Sequence, residues 1–208
     1  MKNKKGISFI IVGVVAILAA ASITVYNVVD AKRAEKTAAE AYSHLAVYIE
    51  NKEKEVEDYT RYEEVVYIPD YQLVPEVNMP VEEIDGYKYV GVLEIPSLSK
   101  TLPVLDECNN SLLKVAPCRY VGTAYKKGFV IGAHNYSSHF ADLKYLSPGD
   151  EVIFRDMAGN SFTYSVVTQE SLSPTDVEEM KSEEWDLTLF TCTPGGRTRV
   201  TVRCELAG

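Results

Sequence analysis

Hydrophobic and polar residues follow different patterns in successive parts of the chain. Residues 6–29 carry no charge, and a helix of that length spans about 36 Å, enough for a hydrocarbon core of about 30 Å. Residues 30–58 lack glycine and proline, are rich in Ala, Glu and Lys, and place their apolar residues along one helical stripe. The pattern predicts a membrane anchor over 1–29 and a helical stalk over 30–58 that lifts the rest of the chain off the membrane.

The pattern changes again after the stalk. Residues 59–86 contain three prolines and many acidic residues, which predicts an extended linker. From residue 87 onward, short β-branched and aromatic runs alternate with turn residues, as in strands. The predicted strands are 87–96, 101–105, 118–121, 128–134, 151–156, 161–169, 186–192 and 198–206, with helical segments near 109–116 and 140–146. About eight short strands with few helices predict a mainly β domain over 87–208, either a small closed barrel or a sandwich.

The first residues also indicate orientation. Lys2, Lys4 and Lys5 favour an N-terminus on the inner side of a membrane, although basic residues after the apolar segment weaken this bias. A cleaved signal peptide that ends near Ala19–Ser22 is the alternative, but the apolar run continues past those small residues. We therefore expect a single-pass anchor with an extracellular domain.

Composition narrows the classes of partner. The net charge of −9 argues against nucleic acid. None of the four cysteines forms a CxxC motif, so we expect neither a zinc site nor another cofactor. An extracellular location permits disulfides, but sequence leaves the pairing of Cys108 and Cys118 open. The acidic run 175–186 could bind Ca²⁺, yet it has no fixed ligand spacing, which favours a solvated loop.

A thiol at the end of a predicted strand is the first candidate for chemistry. Alternation places Cys192 on the face of its strand opposite to the leucines, and it places Cys204 in the core with the valines of the last strand. "TPGG" predicts a hairpin turn between these strands. Cys192 and the arginines of the last strand therefore share the outer face, an electropositive setting that makes a thiol reactive.

Either of two arginines could lie opposite the thiol. Arg199 and Arg197 have the same parity, so alternation does not separate them. Arg199 opens the regular strand, which favours it over Arg197.

A cysteine nucleophile needs a proton-transfer partner, and histidine is the usual one. His134 ends the buried-looking strand "FVIGAH" after a glycine that lets another backbone come close, so it is the favoured candidate. His139 lies in the polar segment "SSHF", which predicts a solvated side chain.

At these residues the chain resembles the sortases, the cysteine transpeptidases of Gram-positive cell surfaces. The resemblance rests on "LTLFTCTPGGRTRVTV", which contains a TLxTC segment followed by Arg, on "VIGAHNYSSHFADLKYLSPGDEV" and on "YVGVLEIPSLSKTLPVL". It covers residues 87–206. The family histidine usually follows glycine, whereas His134 follows Ala133.

The resemblance implies a sortase-like barrel and a specific chemistry. Cys192 would be the nucleophile, His134 the proton-transfer group and Arg199 the cation that stabilises the oxyanion; secondary candidates are Thr191, Arg197 and His139. The expected reaction cleaves an LPxTG-like sorting signal between Thr and Gly through a thioacyl intermediate. The acyl group then passes to an amine of peptidoglycan or of a pilin lysine.

Other interpretations stay open on sequence alone. A cysteine hydrolase of the same fold would use water as the acceptor, and an inactive binding domain would use Cys192 structurally, in a disulfide with Cys118 or Cys204. The sortase class is also open, because no second apolar segment follows the last strand and "IPDYQ" is not the Asp-Pro-aromatic lid motif of the pilus-building class.

Overall fold

The computed structural model describes residues 4–63, 67–74 and 77–207. Its first element is a single helix, α1 (Lys4–Glu63). Among the described residues, α1 alone is long and apolar enough to cross a membrane, and its apolar side chains between Ile7 and Val29 are exposed. This fits a single-pass membrane anchor.

The second half of α1 packs on the barrel, whereas the sequence predicted a stalk that lifts the domain off the membrane. One side of the helix is buried at three- and four-residue intervals, by Ala34, Ala38, Ala41, Leu45 and Ile49. The small alanines bring the helix backbone close to the sheet, and the helix contacts two neighbouring strands. The same alanine stripe would fit a solvated helix, which is why sequence alone did not reveal the docking.

The described part of the chain contains nine strands, and eight of them form the barrel. Their bounds are β1 (Glu82–Ile84), β2 (Tyr87–Ile95), β3 (Lys100–Leu105), β4 (Cys118–Val121), β5 (Phe129–Ala133), β6 (Glu151–Asp156), β7 (Ser161–Leu172), β8 (Leu187–Cys192) and β9 (Arg199–Leu206). The order is β1-β2-β3-β4-β5-β8-β9-β7-β6, and pairing of β6 with β2 closes the barrel. The predicted fold, a mainly β closed barrel of about eight strands, is confirmed; β1 was not predicted.

Helical segments between the strands are short. They are α2 (Asp70–Leu73), α3 (Val177–Met180) and 3-10 turns at Pro96–Leu98, Leu112–Lys114 and Leu143–Tyr145. The last two fall inside the predicted helical segments.

The described part of the linker contacts one end of the barrel. The ring of Tyr71 stacks on Tyr125 with a centroid distance of 4.6 Å, and the Met79 sulfur accepts a hydrogen bond from the amide of Ala124. Both contacts lie just before β5 begins. The linker therefore contacts the end of the barrel at which β5 begins, and β5 and β8 finish at the other end. Residues 64–66 and 75–76 of the predicted linker lie outside the described residues.

The acidic run 175–186 is more ordered than a solvated loop. It contains α3, whose Met180 is buried, and the fully buried Arg203 of β9 donates hydrogen bonds to backbone carbonyls of Glu179 and Met180. Arg203 also forms an ion pair of 2.6 Å with Glu170. The carboxylates of the run remain largely exposed, as predicted.

Candidate active site

The last hairpin places Cys192 beside an arginine. In the antiparallel pairing of β8 and β9, Cys192 lies opposite Arg199, which is the predicted register. The turn between them contains Gly195 and Gly196, both at positive φ (81° and 68°), a conformation that glycine adopts without strain. Cys192 is exposed, while the five residues before it in β8 are buried.

A parallel neighbour brings a histidine to the other side of Cys192. β5 and β8 pair in parallel, and their last paired residues are Ala133 and Thr191. The next residue of each chain segment is His134 and Cys192, so these two residues lie at the same level on adjacent strands. Adjacent strands lie about 4.8 Å apart. The three primary candidates therefore stand in a row, in the order His134, Cys192, Arg199.

Thr191 lies beneath this row. Its side chain is buried on the core face, and its hydroxyl donates a hydrogen bond of 2.8 Å to the carbonyl oxygen of Ala133. It therefore joins the two strands one residue before the thiol and the imidazole. The structure gives Thr191 a role in positioning the strands.

An aromatic ring supports the arginine. The Arg199 guanidinium carbon lies 5.6 Å from the centroid of the Phe190 ring, within range of a cation–π interaction. The Phe190 ring packs over Gly132, where an added Cβ would lie 2.6 Å from the ring. The sequence had suggested that this glycine admits a backbone, but the close neighbour is the Phe190 side chain. Phe190 was not predicted as part of the site, although its position two residues before Cys192 puts it on the same face.

The side chains of His134 and Arg199 retain unused hydrogen-bonding capacity. His134 Nε2 and Arg199 Nε are buried and have no partner among the described residues. Burial of unpaired polar atoms is costly in a resting protein. Polar atoms that form hydrogen bonds only with a bound substrate are unpaired in the free protein. His134 Nε2 and Arg199 Nε are unpaired in this way, and both residues flank the exposed thiol.

Burial and charge act on His134 in opposite directions. Burial, followed by the positive charge of Lys114, lowers the pKa of His134, while the carboxylate of Asp30 raises it. Neither Lys114 nor Asp30 was predicted to lie near the site. Asp30 belongs to α1, and no sequence signal connects it with a strand end more than a hundred residues away.

His139 is fully buried, so the prediction of a solvated side chain is wrong. The loop after β5 folds back because Lys100 of β3 donates a hydrogen bond of 2.5 Å to the carbonyl of Ser137 and pairs with Asp142 at 3.1 Å. Burial lowers the pKa of His139 to about 4, with smaller contributions from His134 and Lys100. His139 is therefore neutral at physiological pH, and both ring nitrogens lack a partner among the described residues.

Arg197 lies apart from the row. It is exposed in the turn, two residues before Arg199. The structure brings together Cys192, His134 and Arg199, and it leaves Arg197 facing solvent.

All four cysteines are free thiols. Cys118 and Cys204 are buried in the barrel and Cys192 is exposed, so the structure does not show the disulfides expected for an inactive binding domain. Cys108 packs against the core cluster that contains Cys118, and hydrogen bonding with Cys118 lowers the pKa of Cys108. Among the described residues, no group of three or more His, Cys, Asp or Glu side chains could hold a metal ion.

The architecture defines a class: an eight-stranded barrel that presents Cys, His and Arg at the ends of three adjacent strands. Residues 93–207, more than half of the chain, match the model of the Sortase domain family. The chain therefore belongs to the sortase family.

Solved structures of sortases are similar to this fold. The sortase D5 transpeptidase of Clostridium perfringens aligns with a TM-score of 0.57 and 19% identity over 85% of this chain and 99% of that chain. Sortase C1 of Streptococcus suis gives a TM-score of 0.52 and 26% identity over 58% of this chain and 73% of its own. Sortase E of Streptomyces avermitilis gives a TM-score of 0.50 and 29% identity over 58% of this chain and 88% of its own. No curated protein sequence matches the chain significantly. Family and fold support a transpeptidase-type function.

Proposed function

We propose that this protein is a membrane-anchored cysteine transpeptidase that cuts an LPxTG-like sorting signal between Thr and Gly and transfers the new acyl end to an amine. The observation that carries this proposal is the pairing that sets exposed Cys192 between His134 and Arg199. A nucleophile, a proton-transfer group and a cation on three adjacent strand ends are the groups that acyl transfer requires.

The first half of the reaction forms a thioester. The Cys192 thiolate attacks the threonine carbonyl carbon, and the carbonyl becomes an oxyanion. As this intermediate collapses, the C–N bond to glycine breaks and the protonated His134 imidazole gives its proton to the leaving amine. The products are a thioester on Cys192, neutral His134 and a free peptide that begins with glycine.

The second half releases the acyl group. An amine attacks the thioester carbonyl, neutral His134 accepts the amine proton, and the C–S bond breaks. The new amide leaves, and the thiolate and the imidazolium are restored. Water in place of the amine would give hydrolysis, so exclusion of water and access of the amine decide the outcome.

Arg199 serves both tetrahedral intermediates. Its guanidinium is held against the Phe190 ring, and its Nε–H is unpaired among the described residues. A fixed cation stabilises an oxyanion without reorganisation in the transition state. Removal of one such donor typically slows an enzyme by about 10²- to 10³-fold.

The lowered pKa of His134 bears on the rate. Burial favours the neutral imidazole, which disfavours the protonated form that gives a proton to the leaving amine. We therefore expect a modest turnover, which increases when the imidazolium is stabilised.

The proposed location follows from α1. The apolar first half would cross the membrane and the barrel would face outward, where surface proteins or pilins carry sorting signals and where cell-wall or pilin amines serve as acceptors.

The proposal is tested with the full chain in lipid nanodiscs. LPxTG-like peptides are supplied with and without an amine acceptor, and products are read by mass spectrometry beside Cys192→Ala and His134→Ala. Ligated product that requires the amine, Cys192 and His134 is expected. The matched control is His44→Ala, which removes an exposed imidazole of α1 and should retain most activity.

Three results would contradict the proposal in different ways. Product formed by Cys192→Ala would exclude Cys192 as nucleophile. Cleavage that stays hydrolytic at every amine concentration would indicate a peptidase. No product from any peptide, together with no reaction of Cys192 with iodoacetamide, would favour the structural role of this thiol.

A further inference from the structure

The membrane-side end of the docked part of α1 touches the loop that carries His134. Asp30 is the first charged residue after the apolar segment 6–29. The Tyr136 hydroxyl donates a hydrogen bond of 2.6 Å to Asp30 Oδ2, across 106 residues of sequence. Both residues are partly buried. A hydrogen bond to a carboxylate is about twice as strong as one between neutral groups, so this contact fixes the Tyr136 side chain.

Tyr136 in turn packs against His134. Its ring centroid lies 4.9 Å from that of His134, with an angle of 37° between the planes, and 5.4 Å from that of His139. Burial and the hydrogen bond with Asp30 raise the pKa of Tyr136, so the hydroxyl stays protonated and remains the donor. The hydrogen-bonded Tyr136 ring therefore restricts the orientation of the His134 imidazole.

In the described part of the chain, no carboxylate or amide side chain hydrogen-bonds the His134 imidazole. In many cysteine and serine enzymes a carboxylate or amide hydrogen-bonds the imidazole and sets its orientation. Here the Nε2 atom is buried without a partner among the described residues, and the ring packs against Tyr136. The Asp30 carboxylate acts on the imidazole indirectly: it accepts the hydrogen bond of Tyr136, whose ring contacts His134.

We propose that Asp30 is a positioning residue for His134: it holds the Tyr136 ring against the imidazole and favours the imidazolium by its negative charge. The inference rests on the proposed function, since it assigns His134 the proton transfers described above. It makes the end of the membrane anchor a component of the active site.

The proposal predicts a specific dependence on pH. The ionisable groups that face or adjoin His134 are Asp30 of α1, Lys114 of the 3-10 turn before β4, Tyr136 and His139 of its own loop, and Cys192 and Arg199 of the adjoining strands. Asp30 is the carboxylate among them. Its removal leaves burial and Lys114 unopposed and lowers the pKa of His134 further.

The consequence differs across the pH range. The active form needs a thiolate and an imidazolium. On the neutral plateau of the pH profile, the fraction of enzyme in that form falls by the same factor by which the acid dissociation constant of His134 rises. At pH values low enough to protonate His134 fully in either protein, the two rates converge. The acidic limb of the kcat/KM profile therefore moves to lower pH and the plateau falls.

The experiment compares full chains in nanodiscs: Asp30→Asn, Tyr136→Phe and the double variant, with Glu40→Gln as the matched control. Glu40 is an exposed carboxylate on the same helix, and it pairs with Lys36 at 3.6 Å. We expect kcat/KM near pH 7.5 to fall by about tenfold in each single variant, the scale of one charge-assisted hydrogen bond. The double variant should be no slower than the slower single variant, and Glu40→Gln should match the unmodified protein.

A second measurement is independent of turnover. The pKa of His134 is read by NMR of histidine-labelled full chain, with His44 and His139 assigned by substitution. Asp30→Asn should lower this pKa, and Glu40→Gln should leave it unchanged. An unaltered His134 pKa in Asp30→Asn, additive losses in the double variant, or a loss of rate that is equal at all pH values would each overturn the proposal. The NMR result decides even if no sorting peptide is turned over, so failure of the proposed function is distinguished from failure of this inference.

Discussion

Two arginines follow the Gly195–Gly196 turn, and only one lies beside the thiol. Arg199 is opposite Cys192 in the hairpin and rests on Phe190, whereas Arg197 is exposed in the turn. Arg199→Ala should therefore lower kcat by about 10²-fold or more, and Arg197→Ala should change it less than about threefold. Steady-state kinetics of peptide ligation measure both. The reverse order would show that the oxyanion is stabilised from the turn.

His139 predicts how stability depends on pH. Its pKa of about 4 in the folded protein lies below the value of about 6.5 in an unfolded chain. As the pH falls from about 6.5 toward 4, the unfolded state takes up the proton first, so the folded state loses up to about 3 kcal/mol. Above pH 6.5 this contribution is constant.

Urea unfolding followed by the fluorescence of the single tryptophan tests this dependence. His139→Leu should unfold with a weaker pH dependence between 6.5 and 4 than the unmodified chain. A slope equal to that of the unmodified chain would mean that His139 is accessible and titrates normally.

At the scale of elements, Arg203 connects three parts of the barrel wall. This side chain has no exposed surface, and it bonds Glu170 of β7, the hydroxyl of Thr188 in β8 and the backbone of α3. Glu170 keeps 36% of its side chain exposed, but removal of Arg203 leaves the buried Thr188 hydroxyl and a backbone carbonyl of α3 without their donor, at about 1–3 kcal/mol for each unsatisfied buried group. Arg203→Met should therefore destabilise the fold by about 3 kcal/mol, as measured by urea unfolding.

Arg155→Met is the matched control. Arg155 also pairs across strands, with Glu94 at 3.4 Å, but its side chain is 39% exposed. Exposed ion pairs contribute about 0–1 kcal/mol, so the effect should be small. Equal losses in the two variants would contradict the role assigned to burial.

The sequence predicted the strands better than the segments that pack on them. Alternation and turn residues located β2 to β9, and the parity of Cys192 predicted the face that it shares with Arg199. β1 was missed because a three-residue strand of Glu-Glu-Ile has no alternation to recognise, and α3 because four residues in an acidic run have no periodicity.

The part of the site that sequence did not reveal depends on distant contacts. His139 looks polar in "SSHF", and its burial requires Lys100 of β3 to fold the loop inward. The approach of Asp30 to Tyr136 requires α1 to lie along the barrel, which no local pattern specifies. Local patterns identify the reacting residues, whereas long-range packing decides their electrostatic environment.

At the scale of the whole molecule, α1 gives the barrel an orientation. Asp30, next to the apolar segment, contacts the His134 end, while Glu53 lies beside Gly159 in the β6–β7 turn. The two helix positions are about 35 Å apart along the axis. If residues before Asp30 cross the membrane, the candidate active site lies at the bilayer surface and the β6–β7 turn lies far from it.

Fluorescence quenching tests this orientation. A fluorescent amino acid is incorporated at exposed Ser137 or at Ala158 of the full chain in vesicles with quencher-labelled headgroups. Strong quenching is expected at residue 137 and little at residue 158. Equal quenching, or stronger quenching at 158, would contradict the orientation.

The most direct test of the central claim is the covalent state of Cys192 during turnover. Full chain in nanodiscs is mixed with an LPxTG-like peptide, quenched with acid within one turnover and mapped by mass spectrometry. We expect an acyl group that ends in threonine on Cys192, and its loss when an amine is added before the quench. Ligated product that accumulates while Cys192 stays unmodified, or an acyl group on another residue, would exclude a thioester mechanism at Cys192.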